Sequence, residues 1–260
     1  MSHILLTTLI GSAAGILGTG LGGAITFLIN QPSNRLLSTL LSFSAGIMIA
    51  VVCFDLLPEA FVLGSLSVGI FGLVLGVLMV IVLDEWINRK MQKNKVRRGK
   101  GQNSPKQIRS TSQAEFMRAG ILLSIGIAIH NLPEGLAIGS GFTAIQSYGI
   151  SLSLVIALHD IPEGIAMATP LRIGGMSKCK VFGAAILAGI PTGIGAWLGY
   201  LLGEISPIFI SLCLGFAGGA MLYITCSELI PESFDLHRGR MSSIGLIAGA
   251  IVGILLTAVI

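Results

Sequence analysis

Charge is scarce in this chain. Of its 260 residues only 11% are Asp, Glu, Lys or Arg, against about 25% in soluble domains, while 53% are hydrophobic and the mean hydropathy is +0.89. Length alone would suggest two soluble domains, and this composition excludes them. Histidine is scarcer still, with four in the chain, and the four cysteines (Cys53, Cys179, Cys213, Cys226) show no CxxC spacing. Such cysteines read as small buried hydrophobes rather than disulfides or a thiolate metal site. No His-Glu-x-x-His string occurs, which removes the zinc-protease pattern, and no Glu-x-x-His pair supports a carboxylate di-metal enzyme. The first apolar segment lacks a basic leader and is read as a retained helix, not a cleaved signal peptide.

What is abundant is glycine, with 35 residues, and long apolar runs. Glycine at this density lets transmembrane helices approach closely. A bilayer core of about 30 Å takes roughly 20 apolar residues per helix. Eight segments qualify, at about 4–28, 36–60, 66–87, 116–140, 148–169, 180–203, 206–231 and 242–260. Irregular backbone facing lipid is excluded at that depth, so the fold class is an all-α polytopic membrane protein.

The basic residues test the count of eight. Ten of the 16 lie between Arg89 and Arg118, and the others are Arg35, Arg172, Lys178, Lys180, Arg238 and Arg240. Every one flanks connection 1–2, 3–4, 5–6 or 7–8, and none lies in connections 2–3, 4–5 or 6–7. The positive-inside rule makes that face cytoplasmic and sends both termini outward across a cell membrane. The net charge of +4 is therefore a matter of topology and lipid contact, not of nucleic acid. Residues 89–114, basic and polar without an apolar face, read as a disordered cytoplasmic loop.

Two internal repeats carry the chemistry. Helix 4 holds His130-Asn131-Leu132-Pro133-Glu134-Gly135, and helix 5 holds His159-Asp160-Ile161-Pro162-Glu163-Gly164. Helix 2 holds Asp55-Leu56-Leu57-Pro58-Glu59-Ala60-Phe61, matched in helix 7 by Glu228-Leu229-Ile230-Pro231-Glu232-Ser233-Phe234. Both pairs join helices of opposite direction. They fit a 3+2+3 inverted repeat, the arrangement that places a transporter's substrate near the midplane.

Within each central motif His and Glu stand at i and i+4 on one helix face. The proline between them removes a backbone donor, which predicts a kink and a free carbonyl at Ile129 and Leu158. Antiparallel packing brings His130, Glu134, His159 and Glu163 to one depth. Two imidazoles with two carboxylates suit Zn2+, Fe2+, Mn2+ or Cd2+ better than Mg2+ or Ca2+. Asn131 and Asp160 are placed to reach a second ion. Carboxylates at membrane depth with no buried Lys or Arg beside them call for a cation. Asp55, Glu59, Glu228 and Glu232 are candidates for a path to the site, with helix-end roles as the alternative, and Met48 and Met221 are weaker ones. Because the ligands must be deprotonated to bind metal, uptake is expected to weaken as pH falls.

These two motifs resemble those of the ZIP (Zrt/Irt-like) metal transporters, most closely the bacterial GufA-like branch. The eight helices, outward termini and variable 3–4 connection extend the resemblance over the whole chain. It implies uptake of a divalent metal, most often zinc, into the cytoplasm. It also implies a binuclear site between helices 4 and 5 with Glu134 and Glu163 bridging, pathway roles for Asp55 and Glu228, homodimers, and rocking of one bundle against another. One departure matters. Where many bacterial relatives carry a glutamate on helix 6, this chain reads Ile190-Pro191-Thr192-Gly193, and the neutral Thr192 hydroxyl predicts a weaker second site. An intramembrane metal-dependent enzyme and a metal exporter are the alternatives, the first opposed by the missing motifs. The ligands do not fix direction, so the resemblance alone supplies the inward arrow.

Overall fold

In the computed structural model, which describes residues 3–28, 33–98 and 108–259, eight helices cross back and forth. They are α1 (His3–Ile25), α2 (Asn34–Leu63), α3 (Leu66–Arg98), α4 (Ile108–Ala144), α5 (Gln146–Ile173), α6 (Lys178–Gly203), α7 (Pro207–Leu236) and α8 (Arg240–Val259). Seven are long and apolar enough to span a bilayer, and the apolar part of α3, Leu66–Val82, forms a shorter eighth.

The segment expected to be disordered, 89–114, is helical over 89–98 and 108–114. Helix α3 continues to Arg98 and α4 starts at Ile108, while 99–107 lie outside the described residues. Lys, Arg, Gln and Met are good helix formers, so helical rotation continues where the apolar run has ended. The cysteines also differ from expectation. All four are free, but Cys213 alone is buried, and Cys53, Cys179 and Cys226 are exposed. An integral membrane protein can leave such small apolar side chains on its outer surface because lipid covers them.

The prolines divide into two classes. Pro133 and Pro162 lie within uninterrupted α-helix. Just before Pro58 and Pro231, by contrast, α2 and α7 each contain one wide π turn, Val52–Leu56 and Thr225–Leu229. In both, the N–H preceding the proline reaches back five residues, Leu57 to Val52 and Ile230 to Thr225. The extra residue lets the chain step around a ring that cannot donate. The short repeat between helices 2 and 7 is thus a repeat of backbone geometry as well.

Packing sorts the helices into two sets. One contains α1, α4, α5 and α6, and the other α2, α3, α7 and α8. The first is held by close backbone approaches. A Cβ on Gly135 would run into the Thr192 carbonyl, and one on Gly18 would meet the Cβ of Asp160, so neither position accepts a side chain without separating helices. Thr19 of α1 adds an interhelical hydrogen bond, its hydroxyl donating to the Ala185 carbonyl of α6 at 2.9 Å. The sets meet where α4 packs on α7 and α5 on α2. Ile145 alone separates α4 from α5, so these two form a tight antiparallel hairpin along that boundary.

Candidate metal site

The hairpin brings both central motifs to the same depth, near the middle of α4 and α5. His130, Asn131, Glu134, His159, Asp160 and Glu163 are all buried, none exposed by more than 1%. His130 Nε2 stands 3.1 Å from Glu134 Oε1 and 3.7 Å from Glu163 Oε1. His159 Nε2 stands 2.7 Å from the same Glu134 oxygen and 3.7 Å from Asp160 Oδ1. Ligands about 2.0 Å from a tetrahedral zinc lie about 3.3 Å apart, and these spacings bracket that value. Donor atoms of His130, His159 and Glu163, and of Glu134, His159 and Asp160, form two overlapping clusters, each within 4.8 Å.

Neighbouring groups fix the orientation of these side chains. The Nδ1 of His159 lies 3.1 Å from the Val155 carbonyl one turn earlier, the nitrogen donating, which turns Nε2 toward the carboxylates. Ser44 of α2 donates to Glu163 Oε1 at 3.0 Å and lies 3.2 Å from the His159 carbonyl. Sequence reading missed Ser44, because no motif surrounds it and the contact joins positions 119 apart. Asn131 Nδ2 donates to the Ala188 carbonyl of α6 at 2.8 Å.

Several buried oxygens in the same region have no hydrogen-bond partner: Asn131 Oδ1, Glu134 Oε2, both oxygens of Asp160, Glu163 Oε2 and Thr192 Oγ1. Thr192 is fully buried against Gly15 of α1. Unpaired buried acceptors are costly, and anionic ones more so. Among the described residues no Lys or Arg is buried to offset them. The chemistry of the donor set is that of a cation site.

The remaining candidates lie away from this cluster, at its two ends. Asp55 and Glu59, both partly exposed, sit toward the end of α2 on the face that bears the termini, and the Tyr148 hydroxyl at the start of α5 faces Asp55. Tyr148 gave no sequence signal. Glu228, Glu232 and Asp235 group at the end of α7, on the face of the basic connections. Glu228 is nearest to the centre, its carboxylate approaching Gly126 of α4 across the boundary between the helix sets. Met48 and Met221 are wholly buried in the second set, and the Thr225 hydroxyl donates to the Met48 sulfur at 3.7 Å.

Comparison with known proteins gives these motifs a context. The family model described as ZIP zinc transporter matches residues 84–260. Similar over nearly the full chain is the zinc transporter ZupT of Chlorobium luteolum, 33% identical over 264 residues, which covers 96% of this chain and 94% of that protein. The zinc transporters ZupT of Clostridium perfringens and Streptococcus mutans are 30% and 32% identical, covering 97% of this chain in each case and 95% and 97% of theirs. An all-helical polytopic chain matched in this way belongs to the ZIP zinc transporter family and is a membrane transporter of divalent metal, not an enzyme.

Proposed function

We propose that this chain carries zinc into the cytoplasm through a site formed by His130, Glu134, His159 and Glu163. One observation carries the reading. Two imidazole nitrogens and two carboxylates from adjacent antiparallel helices converge in a buried cluster with no Lys or Arg buried beside it among the described residues. That mixture of nitrogen and oxygen donors matches zinc chemistry, and relatives that align over almost the whole chain are named zinc transporters.

Asp160, Asn131 and the outer oxygens of Glu134 and Glu163 form a second position beside the first. It is the weaker one, because α6 contributes the neutral Thr192 hydroxyl there. Asp55 and Glu59 form the entrance and Glu228 and Glu232 the exit, with the basic face toward the cytoplasm. Metal passes when the α1, α4, α5 and α6 set rocks against the other, and the contact of Ser44 with Glu163 lies on that moving boundary.

The test is metal accumulation by proteoliposomes of uniform orientation, with Zn2+, Cd2+, Fe2+, Mn2+ and Mg2+ offered on either side. Zinc uptake toward the face of the basic connections, lost in the His130→Ala/Glu163→Ala variant, is the expected result. Flux that survives this double substitution overturns the site, and flux solely in the opposite sense overturns the direction.

A further inference from the structure

Behind the metal cluster, on the outer surface of the α4–α6 seam, runs an apolar groove of about 700 Å3. This lies within the range of about 300–1,000 Å3 typical of small-molecule sites. Met79 of α3 closes one side, so the groove follows the boundary between the two helix sets. Among the described residues that line it, the one hydroxyl, on Ser124, is already used, donating to the Gly120 carbonyl at 2.6 Å. Its rim is open to the bilayer, with Ile121, Ile125, Leu187 and Ile194 all exposed. Such a surface accepts hydrocarbon and offers nothing to a metal ion or a peptide backbone.

Length and position define the occupant further. On α4 the groove extends from Ile121 to Leu132, and on α6 from Ala184 to Ile194. At about 1.5 Å per residue each wall is about 15 Å long, half of a hydrocarbon core of about 30 Å. It starts toward the basic face and stops at the depth of His130, so it spans a single leaflet. Two exposed cations stand at its open end. Arg118 lies three residues before Ile121, and Lys180 four before Ala184, which puts each on the helix stripe that leads into the groove. Arg172 and Lys178 are turned elsewhere, against the ring of Phe27 at 5.6 and 5.7 Å.

We propose that this groove is a binding site for one anionic glycerophospholipid of the leaflet at the basic face. One acyl chain lies along the α4–α6 seam, and the phosphate sits between Arg118 and Lys180. The inner wall of the groove is shared with the transport site. Ile129 and Leu132 flank His130 and Asn131, and the Ala188 carbonyl that holds Asn131 belongs to a lining residue. A seated chain therefore braces the two helices that position the ligands.

The experiment is native mass spectrometry of the full chain released from detergent, titrated with phosphatidylglycerol and with phosphatidylcholine of identical acyl chains. One phosphatidylglycerol per chain is expected to be retained, more tightly than phosphatidylcholine. The Arg118→Gln/Lys180→Gln variant should weaken phosphatidylglycerol by about 25-fold, about fivefold per cation, and weaken phosphatidylcholine, whose choline cation offsets its phosphate, much less. Ala184→Trp, which fills the groove, should remove both lipids. Glycerol 3-phosphate, a headgroup without chains, should not compete. Equal retention of the two lipids by the unaltered chain overturns the proposal, as does phosphatidylglycerol binding that survives both variants. Should Ala184→Trp fail to fold, the charge variant, altered at exposed positions, still decides the matter.

Discussion

At the residue scale, Ser44 is the position that most changes the expected chemistry. Its hydroxyl holds a carboxylate oxygen of Glu163 without belonging to either central motif. Removing an outer partner of a metal ligand generally costs 10–100-fold in affinity or activity. Ser44→Ala is accordingly expected to raise the KM for zinc by about tenfold while expression and fold persist, as zinc-65 uptake kinetics would show; an unchanged KM would remove Ser44 from the site. His130→Ala and Glu163→Ala should abolish uptake, and Thr192→Ala should cost less than either. A Thr192→Ala defect larger than that of Glu163→Ala would reverse the ranking of the two metal positions. The buried cluster proposed to bind metal was legible as a repeated pattern, because a histidine, a proline and a glutamate recur at one spacing in apolar surroundings. Ser44 was not, since it meets Glu163 through tertiary packing alone and looks like any other residue of its segment.

At the scale of elements, glycine separates positions that bear on packing from those that do not. A Cβ on Gly135 meets the backbone of Thr192 and Ala196, whereas one on Gly183 meets nothing within 4 Å. Overpacking of this kind costs about 1–3 kcal/mol, and backbone cannot shift aside as a side chain can. Gly135→Ala should lower the thermal unfolding midpoint in detergent and impair uptake. Gly183→Ala should be neutral or slightly stabilising, by up to about 1 kcal/mol from helix propensity. Equal midpoints for the two variants would contradict the packing of α4 on α6. The wide turns in α2 and α7 were beyond sequence reading. Pro58 and Pro231 announce a disturbance in the helix, but α5 and α6 carry prolines through regular helix, and what distinguishes the two cases is the surrounding packing.

At the scale of the whole molecule, the eight apolar segments could be read from hydropathy and checked against charge, because gaining or losing one helix would scatter the basic residues over both faces. The division into two sets of four could not, since it depends on which small-residue faces meet. Cys213 of α7 neighbours Ser140 of α4 across the boundary between the sets, and the Ser140 hydroxyl donates to the Gly199 carbonyl at 3.4 Å. Ser140→Cys is therefore expected to form a disulfide with Cys213 under oxidation. If transport requires the sets to rock, uptake should stop on oxidation and return on reduction. Full uptake by the oxidised, crosslinked protein would show that the sets need not move.

The single-residue link between α4 and α5 has a consequence for biogenesis. A chain emerging from the ribosome completes this hairpin before α6 is made. His130 and Glu134 can then meet His159 and Glu163 while the segment is still entering the bilayer, and buried charges cost less there when paired. The polar cluster of the membrane interior is thus delivered to the bilayer as one paired unit. The helices that follow assemble around it.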